Sequence, residues 1–117
     1  MRIESIVFAG TATDRRAEMT AFVSQVLGLA PLEVPDVEAD LFGLPDGSQF
    51  AVASPDGMGP TTRTLGFLVS DLDQALSELR ATGVRADAEI TENSMWRYVH
   101  FTAPDGQLYE LVERRSI

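Results

Sequence analysis

The stretch from Arg2 to Ala9 alternates apolar and polar positions and is rich in Ile, Val and Phe, the period-two signature of a strand. Ile6 and Phe8 fall on one face, Ser5 and Val7 on the other. The period then lengthens. Met19, Phe22, Val23, Val26 and Leu27 recur at i, i+3, i+4, i+7 and i+8, which places them on one side of a helix. Thr13 or Asp14 offers the N-cap, and Gly28 stands where a left-handed residue stops the helix. Pro31 and Pro35 prevent its continuation. Leu32 to Ser54 reads as three short strands separated by turns at Pro35-Asp36 and Pro45-Asp46-Gly47. In the last of them Phe50 and Val52 share one face, and Gln49, Ala51 and Ala53 the other.

The order then repeats. Leu65, Phe67 and Val69 form the apolar face of another strand, Ser70 or Asp71 caps a second helix, and Leu72, Ala75, Leu76 and Leu79 make its stripe. Gly83 closes the helix. Strands are expected at about Arg85–Glu89, Arg97–Thr102 and Gln107–Val112. The closing stretch Pro104-Asp105-Gly106-Gln107-Leu108-Tyr109-Glu110-Leu111 echoes Pro45-Asp46-Gly47-Ser48-Gln49-Phe50-Ala51-Val52, 59 residues earlier. The same offset carries Phe42 onto Phe101 and Phe8 onto Phe67. The chain is therefore read as one domain of two βαβββ modules, residues 1–54 and 62–117, joined by a Gly/Pro-rich linker at 55–61. One amphipathic helix per half covers one face of the sheet. The other face of a strongly twisted mixed sheet curls into a cup. The fold class is α+β.

Composition narrows the field. A chain of 117 residues, 44% hydrophobic and 23% charged, has the profile of one ordinary globular domain. No apolar run approaches the roughly 20 residues of a membrane helix, and no basic-then-apolar leader opens the sequence. With no cysteine, there is no disulfide framework and no thiolate nucleophile. These features together point to a cytoplasmic location. The net charge of −9 and scattered basic residues argue against nucleic-acid binding, which needs a basic patch to displace counterions. An acidic balance gives solubility and steers cations.

The two βαβββ units, a helix opening Asp71-Leu72-Asp73 and ending at Gly83, and the closing Phe101-x-x-Pro104-Asp105-Gly106-x-x-x-Glu110-Leu111 resemble the vicinal oxygen chelate superfamily. Its members include glyoxalases, extradiol dioxygenases, fosfomycin-resistance enzymes and bleomycin-resistance binding proteins. The resemblance implies paired modules around a U-shaped cavity, usually completed in a homodimer. It also implies metal-ligand positions on the first and last strands of each module, which fall here on Ser5 and Thr64, and on Ala51 and Glu110. Only Glu110 is a good ligand. Divalent metals in such sites want about three imidazole or carboxylate donors, so no metal or other cofactor is expected, and a divalent ion is disfavoured.

Alternation also predicts what lines the cup. Val99 and Phe101 belong to the helix side, which turns Trp96, Tyr98 and His100 to the concave side together with Leu108 and Glu110. Ser5, Val7, Gln49, Ala51 and Thr64 join them. An apolar wall with aromatic groups and a few polar points suits a small organic molecule. Glu110 and His100, the only histidine, are the candidate acid–base pair. Three readings follow. The first is a metal-free binding protein for a partly aromatic or cationic compound. The second is a lyase, isomerase or dioxygenase-type enzyme using Glu110 and His100, with or without a divalent metal. The third is a structural or regulatory module whose concave face is filled by dimerisation or by a partner.

Overall fold

The computed structural model describes residues 1–35 and 37–115. Asp36, half of the expected Pro35-Asp36 turn, lies outside the described residues, as do Ser116 and Ile117 at the end of the second module. The elements run β1 (Ser5–Ala12), α1 (Arg16–Gln25), β2 (Ala30–Leu32), β3 (Asp40–Gly43), β4 (Gln49–Ala53), β5 (Arg63–Leu68), α2 (Leu72–Ala81), β6 (Thr91–Glu92), β7 (Trp96–Thr102) and β8 (Leu108–Arg114). Among the described residues eight strands form one mixed sheet in the order β2-β3-β4-β1-β5-β8-β7-β6. The two βαβ crossovers set β1 parallel to β4 and β5 parallel to β8. The modules join where β1 and β5 run antiparallel at the centre. The sheet curls into a half-barrel with two helices, which pack on its convex side. Among the described residues no helix is long and apolar enough to cross a membrane.

The second helix follows its sequence closely. Asp71 caps it, its carboxylate accepting from the Gln74 amide at 3.0 Å. Leu72, Ala75 and Leu76 are buried against Val69, Val99 and Leu111, with Phe67, Leu79 and Phe101 around them. Gly83 adopts φ +85° after the last turn, a conformation that glycine takes without steric cost.

The first helix departs from expectation. It begins only at Arg16, and its N-cap residue, Arg15, makes no side-chain capping bond among the described residues. The reason lies in the strand before it. β1 continues to Ala12, and the Thr13 amide still donates to Ala53 O of the sheet. The Thr13 hydroxyl then accepts from the Arg15 amide, two residues on, so it is spent in a local turn instead of a cap. Of the expected stripe only Val23 is fully buried, against Phe42 and Val52, with Met19 partly covered. Phe22 is 46% exposed. Val26 and Leu27 lie beyond the last helical turn and are exposed.

The strand expected at Arg85–Glu89 also differs. Only Ala86 bridges β7, opposite Phe101, and the edge strand β6 forms later, at Thr91–Glu92. The His100 amide, which a regular edge strand would bind through a carbonyl, donates instead to the Asp87 side chain at 2.9 Å.

Candidate functional site

The concave face encloses a cavity of about 450 Å³. It is an open hollow, not a solid interior. Gln49, Ala51, Thr64, Trp96, Tyr98, His100, Leu108 and Glu110, all expected at the cup, line it. Ser5 and Val7 do not. Ser5 is exposed at the start of β1. Val7 is buried beneath the wall, packed with Trp96 and Val112.

A break in alternation explains both. The pairing of β1 with β5 shifts between Ile6, opposite Phe67, and Phe8, opposite Gly66. Val7 is the extra residue of a β-bulge, which re-aims the chain that follows. Phe8, assigned by simple alternation to the helix side, lines the cavity instead. Gly66 is what allows this. A Cβ there would lie 2.9 Å from Phe8 Cβ and 3.0 Å from Val112 Cγ2, so only glycine fits between them. Sequence reasoning also missed the contribution of the linker. Met58, flanked by Gly57 and Gly59, reaches the cavity with its neighbours, as does the segment Val37-Glu38-Ala39. Gly66, a glycine in the middle of the strand paired opposite Phe8, is the one sequence signal of the close approach that turns Phe8 inward.

The bulge also changes which positions correspond. Gly10 pairs with Ala51 as Gly66 pairs with Glu110. The first strands are thus related by an offset of 56 residues, while the last strands keep 59. The counterpart of Thr64 is Phe8, not Ser5. The four corners where the resemblance places metal ligands therefore carry a phenyl ring, a hydroxyl, a methyl group and one carboxylate. Among the described residues no group of three His, Cys, Asp or Glu side chains is disposed to hold a metal ion. This donor set does not fit a divalent metal.

What the cavity wall does contain is a pair of ionisable groups, backed from outside by a third. Glu110 is buried, only 9% exposed. It stands directly across from His100 in the β7–β8 ladder. His100 Nε2 lies 3.3 Å from Glu110 Oε2, and its Nδ1 lies 2.9 Å from Asp87 Oδ2. An imidazole between two carboxylates favours the charged form. The Glu110 carboxylate is the larger influence, Asp87 adds to it, and partial burial opposes them; the His100 pKa rises to about 9. At neutral pH the ring is an imidazolium that donates from both nitrogens. The Tyr98 ring meets it edge-on, with centroids 5.5 Å apart. Burial pushes the Tyr98 phenol up, and the charges of Glu110 and Asp87 push it further.

The remaining polar points are few. Thr64 Oγ1 is buried and has no hydrogen-bond partner among the described residues. The buried Gln49 spends its amide nitrogen on Met95 Sδ, 3.2 Å away. Trp96 closes one wall, with the Arg114 guanidinium 5.1 Å from its ring centroid on the outside. Among the described residues no arginine lines the cavity; its ionisable lining comprises Glu38, His100 and Glu110, with the Tyr98 phenol beside them. The arrangement can hold a group that donates hydrogen bonds or carries positive charge, and it can move a proton between His100 and Glu110.

Comparison with known proteins agrees with this architecture. Residues 5–111 match the family model described as Glyoxalase/Bleomycin resistance protein/Dioxygenase superfamily. Among solved structures, the methylmalonyl-CoA epimerase from Mycobacterium tuberculosis is 22% identical, with a TM-score of 0.73 over 97% of this chain and 90% of that one. A variant of the Streptomyces coelicolor methylmalonyl-CoA epimerase in complex with 2-nitronate-propionyl-CoA is 19% identical, with a TM-score of 0.70 over 98% and 100%. BphC, a halotolerant catechol dioxygenase, is 20% identical, with a TM-score of 0.73 over 98% of this chain and 41% of that one. At these identities the likeness speaks for the fold alone. No curated protein matches the chain. The family match spans nearly the whole sequence, and the sheet order, paired crossovers and cup agree with it: the chain belongs to the glyoxalase/bleomycin resistance protein/dioxygenase superfamily.

Proposed function

We propose that this protein binds a small organic cation in the cup without a metal ion, holding the ligand's ammonium group against Glu110 and its apolar body against Phe8, Trp96 and Tyr98. The observation that carries this reading is Glu110 itself. It is a buried carboxylate in a largely apolar cavity, where the cationic neighbour among the described lining residues is the His100 imidazolium. Asp87, Glu110 and Glu38 outweigh that single positive charge, and a low-dielectric wall strengthens the field a bound cation feels. Aromatic faces attract cations as well. Binding to the folded state raises its apparent stability. Thermal unfolding is therefore expected to shift upward with benzylamine, but not with benzyl alcohol, benzoate, Ni²⁺, Zn²⁺ or Mn²⁺. Equal stabilisation by benzoate would overturn the reading. So would a shift with Zn²⁺ or Mn²⁺ that disappears in Glu110→Ala.

One observation favours a second reading, metal-free proton transfer next to a carbonyl. Glu110 and His100 stand side by side in the cavity wall, where a carboxylate base and an imidazolium acid would both be within reach of one bound substrate. The epimerases among the structural neighbours make methylmalonyl-CoA a reasonable probe. Incorporation of solvent deuterium into it, lost in Glu110→Gln, would replace the binding reading. No arginine for an anionic substrate stands among the described lining residues, which is why this reading comes second.

A further inference from the structure

Asp87 sits outside the cavity lining, in the connection between α2 and β6, yet its amide and one of its carboxylate oxygens are committed to a single neighbour. The amide donates to His100 O at 2.9 Å. The oxygen, Oδ2, receives both the His100 amide and the His100 ring Nδ1, each at 2.9 Å. The segment around Asp87 is held from two more sides. Thr102 N donates to Arg85 O. Arg80, from the last turn of α2, donates Nη2 to the carbonyls of Asp87 and Ala88 at 2.7 and 3.0 Å. The carboxylate is thus fixed by backbone bonds before it meets the ring.

We infer that Asp87 is the positioning residue of this site: it holds the His100 ring so that Nε2 faces Glu110 and leaves the second Glu110 oxygen, beside Gly66, to meet what enters the cup. This deepens the binding function proposed above and rests on it for its consequence, though not for its geometry. An imidazole has two nitrogens, and the bond at one decides what the other presents. With Nδ1–H held by Asp87, the ring cannot turn over without giving up that bond. The titratable groups facing His100 are then Asp87 from the connection, Glu110 from β8 and Tyr98 from its own strand. Glu110 Oε2 is occupied by Nε2. Oε1 is the oxygen that would lie 3.6 Å from a Cβ on Gly66. Asp87 therefore decides the pose of Glu110 without touching the ligand.

His100 is the only histidine in the chain, so its ring signals in NMR need no assignment. The experiment follows the His100 Cε1 proton and both ring nitrogens against pH in ligand-free wild type, Asp87→Asn, Asp87→Glu and Glu110→Gln. In wild type both nitrogens are expected to stay protonated through neutrality. Asp87→Asn is expected to lower the midpoint by about one pH unit and to abolish the hydrogen-bonded Nδ1 proton signal, with Asp87→Glu restoring part of both. In parallel, benzylamine should bind Asp87→Asn about ten-fold more weakly than wild type, a loss within the usual range for a disturbed charge-assisted contact. An unchanged His100 midpoint in Asp87→Asn would overturn the inference, and so would a lowered midpoint with undiminished benzylamine affinity. The titration needs no ligand. Failure of wild type itself to bind benzylamine would instead sink the proposed function, while the titration would still decide the ring orientation.

Discussion

Gly66 and Glu110 lie side by side on β5 and β8, and a side chain at position 66 would crowd Phe8 and Val112 and touch the carboxylate. A Cβ at position 66 would come within 3.0 Å of two side-chain atoms close to the backbone, Phe8 Cβ and Val112 Cγ2. Neither is the free end of a flexible chain. Gly66→Ala is expected to destabilise the fold by about 1–3 kcal/mol, the usual range for overpacking, and to displace Glu110. Gly10→Ala meets Thr64 Cγ2 and Phe8 Cε2 at 3.2 and 3.3 Å and should cost less. Urea unfolding of both variants checks the order; equal stabilities would show that the close approach at Gly66 is not limiting.

Thr64 supplies an opposite case. Its hydroxyl is buried without a partner among the described residues, and such a group costs about 1–3 kcal/mol. Thr64→Val keeps the shape and removes the oxygen. The ligand-free variant should be about 1 kcal/mol more stable than wild type, while amine binding, which the buried oxygen does not reach, stays unchanged. Denaturation without ligand and titration with benzylamine check the two outcomes. A less stable Thr64→Val would mean that the hydroxyl is well solvated.

The His100 pKa, raised to about 9 from an ordinary 6.5, sets a pH window. Because the folded state holds this proton more tightly than the unfolded chain, the stabilisation is complete below about pH 6.5 and is lost as pH rises through about 9. The side chain is 35% exposed, so solvent screening reduces the contribution to about 1–2 kcal/mol. Stability should therefore fall between these limits in wild type and be nearly flat there in Glu110→Gln, which removes the main cause of the shift. Parallel slopes for the two proteins would argue that Glu110 does not hold the proton on His100.

Trp96 is the only tryptophan and forms part of the cavity wall. Its emission should change on ligand entry, and Arg114→Gln should alter the resting spectrum by removing the guanidinium from above the ring. A ligand that raises the melting temperature without changing this emission would be bound outside the cup.

Most of this architecture is written locally. The Asp71 cap, the Leu72–Leu76 stripe and the Gly83 stop each depend on neighbours a few residues away, and they appear where periodicity puts them. The facing of Trp96, Tyr98 and His100 also follows from alternation, because β7 and β8 pair without a break. Two of the failures share a cause. The Val7 bulge depends on what β5 presents across the sheet, and nothing in Ile6-Val7-Phe8 announces it. It puts Ser5 outside the site, Val7 beneath it and Phe8 within it. Asp87 is hidden for a similar reason: its role depends on a partner 13 residues on, within a segment whose composition suggests a strand. The first helix misleads because its apolar residues outnumber the core positions it fills.

The Asp87–His100–Glu110 chain comes entirely from the later half of the duplication, whereas the earlier half shapes the hollow mainly through Phe8, Leu41 and Ala51 and adds the single carboxylate of Glu38. Under the proposed binding function, substitutions at Phe8 or Ala51 would remodel the outline a guest must match while leaving Glu110 and its two supports in place.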